Sequence, residues 1–151
     1  MRFFQIIILA FTTIGISCAQ QNNTSYDLML NLLLSNSVEQ INVDQLKTEM
    51  NNSEIILLDT REDREYEVSH IEGAMHVGYD HFKKSSVKDL PKEKTVVLYC
   101  SVGYRSEKIG EKLKKMGFED VQNLRGGIFE WKNQGNPVVA PDGDKTDKVH
   151  A

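Results

Sequence analysis

Thr95-Val96-Val97-Leu98-Tyr99-Cys100-Ser101-Val102-Gly103-Tyr104-Arg105 is the stretch that decides the fold. Its first five residues form an unbroken β-branched, leucine and aromatic run. Such a run lacks the alternation of a half-exposed strand and suits one covered on both faces. Ser106 to Met116 follows, with Ile109, Leu113 and Met116 recurring at helical spacing. That places them on one face of an amphipathic helix, which Gly117 then terminates. Strand, tight loop and helix in this order are the repeating unit of α/β proteins.

The same grammar extends outward. Glu54-Ile55-Ile56-Leu57-Leu58-Asp59 is a second continuous apolar run, closed by an acid. Arg61 to Val68 reads as a short helix, Ala74 to Val77 as a short strand and Asp120 to Leu124 as a further strand. Gly126-Gly127 turns the chain into a last short helix, Ile128 to Asn133, which carries Trp131. Upstream, Val43 to Lys47 starts a helix with Asp44 as its expected N-cap. The fold class is α/β, with a mostly parallel central sheet flanked by helices on both faces. The folded domain is expected over 41–138. Residues 20–40 read as a polar tether with an apolar patch from Leu28 to Leu34, and 139–151 as an irregular tail.

The whole chain has 151 residues, 40% hydrophobic and 26% charged, which fits one globular domain and excludes a disordered or collagen-like chain. A formal charge of −4 excludes nucleic acid from the expected partners. Two cysteines, Cys18 and Cys100, cannot make a disulfide scaffold.

The N-terminus reads as an address. Arg2 precedes a mostly apolar run from Phe3 to Ile16, shorter than the roughly 20 residues a bilayer span needs. Residues 1–19 are therefore expected to be a signal peptide. Ser17-Cys18-Ala19 fits a cut after Ala19. Gly15-Ile16-Ser17-Cys18 resembles a bacterial lipobox, with Gly15 where leucine is usual, so that Cys18 becomes the lipidated first residue. The lipidated route is preferred, because an otherwise purposeless cysteine falls where the apolar run ends. Both routes put the mature protein in the cell envelope or periplasm, or outside the cell, touching membrane only through a lipid anchor. Both leave Cys100 without an intramolecular thiol partner.

Cys100 closes an apolar strand, where sites form in open α/β sheets. A loop running into a helix N-terminus turns backbone N–H groups inward and adds the helix dipole. That environment favours an anion, so Cys100 is expected to act as a thiolate nucleophile. Gly103 lets the loop curl, and Arg105 adds positive charge. Glycine at 103 excludes a Cys-x-x-Cys redox pair. No metal is expected: Cys100 has no second thiol, and His70, His76 and His81 lack ligand spacing.

These residues resemble the single-domain rhodaneses, the thiosulfate-type sulfurtransferases. The resemblance is carried by Leu57-Leu58-Asp59-Thr60-Arg61, Glu65-Tyr66, His70-Ile71-Glu72-Gly73-Ala74, Tyr99 to Ser106, Met116-Gly117-Phe118, Leu124-Arg125-Gly126-Gly127 and Trp131, in order. Ser69 and Glu72 stand where glycine and proline are usual in that family. The resemblance implies a rhodanese-like fold and a mechanism without a cofactor. Cys100 takes the outer sulfur of a small sulfur-containing anion as a persulfide and passes it to a thiol or cyanide acceptor, or exchanges it with a protein persulfide partner. Ser101, Val102, Gly103, Tyr104 and Arg105 would cradle that sulfur. Asp59 would either anchor the loop or pair with Arg61, and Arg61 and Glu65 are expected to be structural ion-pair partners. Arg125 with Gly126-Gly127 is expected to serve the turn.

Two other readings compete. Related phosphatases and arsenate reductases have five residues between cysteine and arginine, whereas Ser101 to Tyr104 are four here. The loop also offers no general acid for a leaving group. A non-catalytic binding or persulfide-carrier module of the same fold is the alternative to an enzyme.

Overall fold

In the computed structural model, residues 25–52 and 54–150 are described. The signal segment and Cys18 lie outside them. The described residues fall into two units that meet between Leu33 and Leu34 in the sequence.

The described part of the first unit is one helix, α1, residues 25–33. It exposes Leu28, Met29, Leu32 and Leu33. Part of the expected polar tether is therefore helical. No described helix is long and apolar enough to cross a membrane.

The second unit opens with β1 (Glu39–Ile41) and α2 (Val43–Asn52). Next come β2 (Ile56–Asp59), α3 (Asp63–Tyr66) and β3 (Met75–His76). A 3₁₀ turn at Lys84–Ser86 leads to β4 (Val96–Tyr99), α4 (Tyr104–Lys115), β5 (Val121–Leu124) and α5 (Gly127–Asn133). Two short strands, β6 (Val138–Val139) and β7 (Lys145–Thr146), close the chain. The five-stranded sheet has the order β1-β5-β4-β2-β3, and every pair in it is parallel.

Strand alternation sorts the apolar side chains onto two faces. Leu57, Val97, Tyr99 and Leu124 pack with Val43 and Leu46 of α2 and Ile128 and Trp131 of α5. Leu58, Val96, Leu98 and Val121 pack with Ile109 and Leu113 of α4. Helices thus cover both faces, which is why β2 and β4 read as unbroken apolar runs. Each fully buried leucine or valine here contributes about 1.5–3 kcal/mol of transfer free energy.

Several boundaries differ from the expectation: α3 is shorter, Asp63–Tyr66 instead of 61–68, and α4 starts at Tyr104 instead of Ser106. Glu39–Ile41 pairs in register with Gln122–Leu124, so the sheet begins two residues before position 41. The cap of α2 is Asn42, not Asp44. Asn42 Oδ1 accepts from the Gln45 N–H at 2.9 Å, and Gln45 Oε1 accepts from the Asn42 N–H at 2.9 Å. This reciprocal box satisfies two N–H groups at once, and Asp44 instead sits in the first turn, where its charge suits the dipole. Nor is the tail wholly irregular: β7 pairs antiparallel with β6. The carbonyls of Lys148 and His150 accept from Ser69 Oγ at 2.6 Å and Arg61 Nη1 at 3.2 Å.

Candidate active site

The loop after β4 lies at the C-terminal edge of the sheet. Parallel register sets Asp59 of β2 opposite Tyr99 of β4, so the residues ending both strands lie side by side. Cys100 is 1% exposed. Its Sγ accepts the Gly103 N–H at 3.1 Å. Gly103 has φ +112, and a Cβ there would meet Asn123 Nδ2 at 3.3 Å and the Leu124 carbonyl oxygen at 3.4 Å. A side chain would open the curl that aims this N–H at sulfur.

The loop is held from two sides. On one, Asn123 Nδ2 donates to the Gly103 carbonyl at 3.0 Å, and Ser106 Oγ donates to Asn123 Oδ1 at 2.6 Å. On the other, Ile128 N–H donates to the Cys100 carbonyl at 2.9 Å and Phe129 N–H to the Ser101 carbonyl at 3.2 Å. The close approach of α5 is possible because residue 127 is glycine: a Cβ there would lie 2.3 Å from the Cys100 carbonyl oxygen. Within the loop Ser101 is buried, Val102 half-buried and Tyr104 exposed. α4 starts at Tyr104, so its N-terminal dipole points at the loop.

Arg105 turns toward α3. Its Nη1 and Nη2 donate to Glu65 Oε2 and Oε1, each at 2.7 Å, and Nη2 also donates to Ser101 Oγ at 2.9 Å. Burial opposes the Glu65 carboxylate charge, but the Arg105 hydrogen bonds, a backbone hydrogen bond at Glu62 and the charges of Arg105 and Arg61 hold its pKa down to about 2. Arg105 is pushed above its ordinary range, first by the Glu65 hydrogen bonds, and interaction with Cys100 also favours its charge. The guanidinium therefore ties the buried Glu65 carboxylate to Ser101 of the cysteine loop.

Asp59 and Arg61 form a separate buried pair. Arg61 Nη2 donates to Asp59 Oδ2 at 2.6 Å, with both side chains at 0% exposure. Nη2 also donates to the Ser69 carbonyl at 2.6 Å. The Arg61 guanidinium lies 5.8 Å from the Tyr99 ring centre. Burial, together with the Asp59 charge, raises the Tyr99 pKa well above its ordinary value. The structure thus brings Cys100 and residues 101–105 together, while Asp59 takes the ion-pair role of its two expected ones. Glu65 is an ion-pair partner as expected, but of the loop arginine. Ser106, Asn123 and Gly127 were not read as site residues. A buried-strand asparagine and a glycine pair just beyond it were the available signals. No metal-holding group of His, Cys, Asp or Glu is found among the described residues.

The family model of the rhodanese-like domain matches residues 42–134. The chain belongs to the rhodanese-like domain family. A tRNA uridine(34) hydroxylase from Escherichia fergusonii is 34% identical over 113 residues, 69% of this chain. The chain spans only 32% of that relative's length. The rhodanese-like domain of the Alr3790 protein from Anabaena sp. is 26% identical, with a TM-score of 0.61, over 74% of this chain and 91% of that one. Thiosulfate sulfurtransferase from Pseudomonas aeruginosa is 20% identical, with a TM-score of 0.64, over 85% of this chain and 25% of that one, and shows the shared fold.

Proposed function

We propose that this rhodanese-like domain is a sulfurtransferase working through a Cys100 persulfide. The observation that carries the reading is Cys100 Sγ at the end of β4, receiving the Gly103 N–H inside a loop that the α4 N-terminus makes favourable to an anion. In the first half-reaction the Cys100 thiolate attacks the outer sulfur of the donor. The donor's S–S bond breaks, and its remaining part leaves with the electron pair as sulfite or a thiolate. In the second, an acceptor thiolate or cyanide attacks the outer sulfur of Cys100–S–S⁻ and frees the Cys100 thiolate. No external oxidant or reductant is consumed. N–H groups of residues 101–105 and the N-terminal dipole of α4 hold the outer sulfur.

Cys100→Ser tests this. It should abolish sulfur transfer from thiosulfate or a persulfide to cyanide and leave the urea unfolding midpoint within experimental error. Retained transfer in the variant would overturn the mechanism.

The names of the hydroxylase relatives support a second reading, in which the domain serves a tRNA-modifying reaction. The net charge of −4 works against tRNA binding. A salt-dependent affinity for tRNA without sulfur transfer would favour that reading.

We also place the mature protein outside the cytoplasm, anchored through lipidated Cys18. Labelled fatty acid incorporated by the wild type and lost in Cys18→Ser would support the anchor. A mature N-terminus at Gln20 would contradict it.

A further inference from the structure

Arg105 enters the sequence reading as the cation of an anion site, yet its charge is already matched in the structure. Glu65 is 2% exposed and grips the guanidinium through two parallel hydrogen bonds of 2.7 Å. Arg61, another guanidinium near this sheet edge, is bound just as closely by Asp59. Each pair is neutral overall. With the Arg105 charge taken up mainly by Glu65, the groups that face Cys100 Sγ act chiefly as dipoles: the Gly103 N–H and the N-terminus of α4. Dipoles of this kind hold a sulfur bearing about one negative charge. A dianion brings a second charge into a loop whose cysteine is almost fully buried, and in such a place an uncompensated charge is costly.

We propose that Glu65 sets the donor preference of the Cys100 site: by neutralising Arg105 it tunes the site to donors of low charge, the hydropersulfides of thiols, over dianionic thiosulfate. The inference rests on the sulfur-transfer reading and specifies its substrate class. The transfer is balanced. Cys100–S⁻ attacks the outer sulfur of R–S–SH, the donor's S–S bond breaks, R–S⁻ leaves with the electron pair, and Cys100–S–SH keeps the proton. Glu65 touches neither sulfur, so it is a positioning residue that acts through Arg105.

If net charge is what matters, the donor ratio follows the charge of the 65/105 pair. That charge is zero in the wild type, +1 in E65Q, −1 in R105Q and zero again in the E65Q/R105Q double variant. A merely structural role for Glu65 would slow both donors alike and leave the ratio unmoved. Gln at 65 keeps an acceptor for the Glu62 N–H, so the capping box at α3 survives.

The test measures second-order loading of Cys100 in the full chain, with thiosulfate and with cysteine hydropersulfide, by intact mass. Circular dichroism checks that each variant is folded. The wild type should load faster from the hydropersulfide. The thiosulfate-to-hydropersulfide rate ratio should rise about tenfold or more in E65Q, fall in R105Q, and return to within about threefold of the wild type in the double variant. A wild type that prefers thiosulfate, or a ratio that ignores the pair's charge, would overturn the inference while leaving sulfur transfer intact. Failure of the folded wild type to load from either donor would overturn the sulfur-transfer reading and this inference with it.

Discussion

Gly127→Ala adds one methyl group at the point where α5 meets the cysteine loop. Gly127 has φ +56, and the new Cβ would lie 2.3 Å from the Cys100 carbonyl oxygen and 2.6 Å from that of Ser101. Both obstacles are backbone, so no side chain can swing aside. Reaching even 3.0 Å means a retreat of roughly 0.7 Å in a close-packed region. That retreat stretches the Ile128 N–H bond to Cys100, now 2.9 Å, and carries the Phe129 N–H bond to Ser101 beyond 3.2 Å. Each lost bond costs about 1 kcal/mol, and holding alanine in a left-handed conformation costs about 1–2 more. The expected loss is about 3–4 kcal/mol, a large part of a typical 5–15 kcal/mol stability. Gly73 is the control: its φ is +81, but nothing lies within 4 Å of a Cβ there. Gly73→Ala should cost only the conformational term, about 1–2 kcal/mol. Urea unfolding of the full chain, followed by the fluorescence of Trp131, measures both. If Gly127→Ala is no more destabilising than Gly73→Ala, the packing of α5 on the loop carbonyls is not what fixes the loop.

Three other outcomes follow from the buried polar groups. Arg61→Met should cost about 3–5 kcal/mol, because it strands the fully buried Asp59 carboxylate; the Asp59→Leu/Arg61→Met double variant should be more stable than that single one, as urea midpoints would show. Glu65 has a folded pKa of about 2 against an ordinary 4.5, so its pairing adds stability that is fully present well above pH 4.5 and is lost as pH falls through about 2. The stability gap between wild type and E65Q should accordingly narrow as pH falls from 4.5 to 2, and a gap constant over that range would contradict the buried pair. Deleting residues 145–151 removes β7 and the carbonyl partners of Ser69 Oγ and Arg61 Nη1, and should lower stability by about 2 kcal/mol in a thermal or urea melt.

What was legible in the sequence was whatever local pattern imposes. β2 and β4 announce themselves because both their faces are buried, and α4 because Ile109 and Leu113 recur on one face and Gly117 stops it. The cysteine loop was legible for the same reason, since strand end, Gly103 and helix start are contiguous. β1 was not. Glu-Gln-Ile is short and polar, and it becomes a strand only by adding to the edge of β5, some eighty residues away. The partner of Arg105 was equally hidden. Glu65 lies forty residues upstream, in a helix of one turn, and nothing local separates Arg61 from Arg105 as its counter-ion. The docked tail depends on backbone carbonyls, which carry no sequence signature.

The measurement that bears most directly on the central claim is the intact mass of the protein after exposure to thiosulfate or cysteine hydropersulfide, before and after cyanide. The account predicts a gain of one sulfur, about 32 Da, on Cys100, fully removed by cyanide and absent in Cys100→Ser. A folded protein with a free Cys100 thiol that gains no mass from either donor would contradict it.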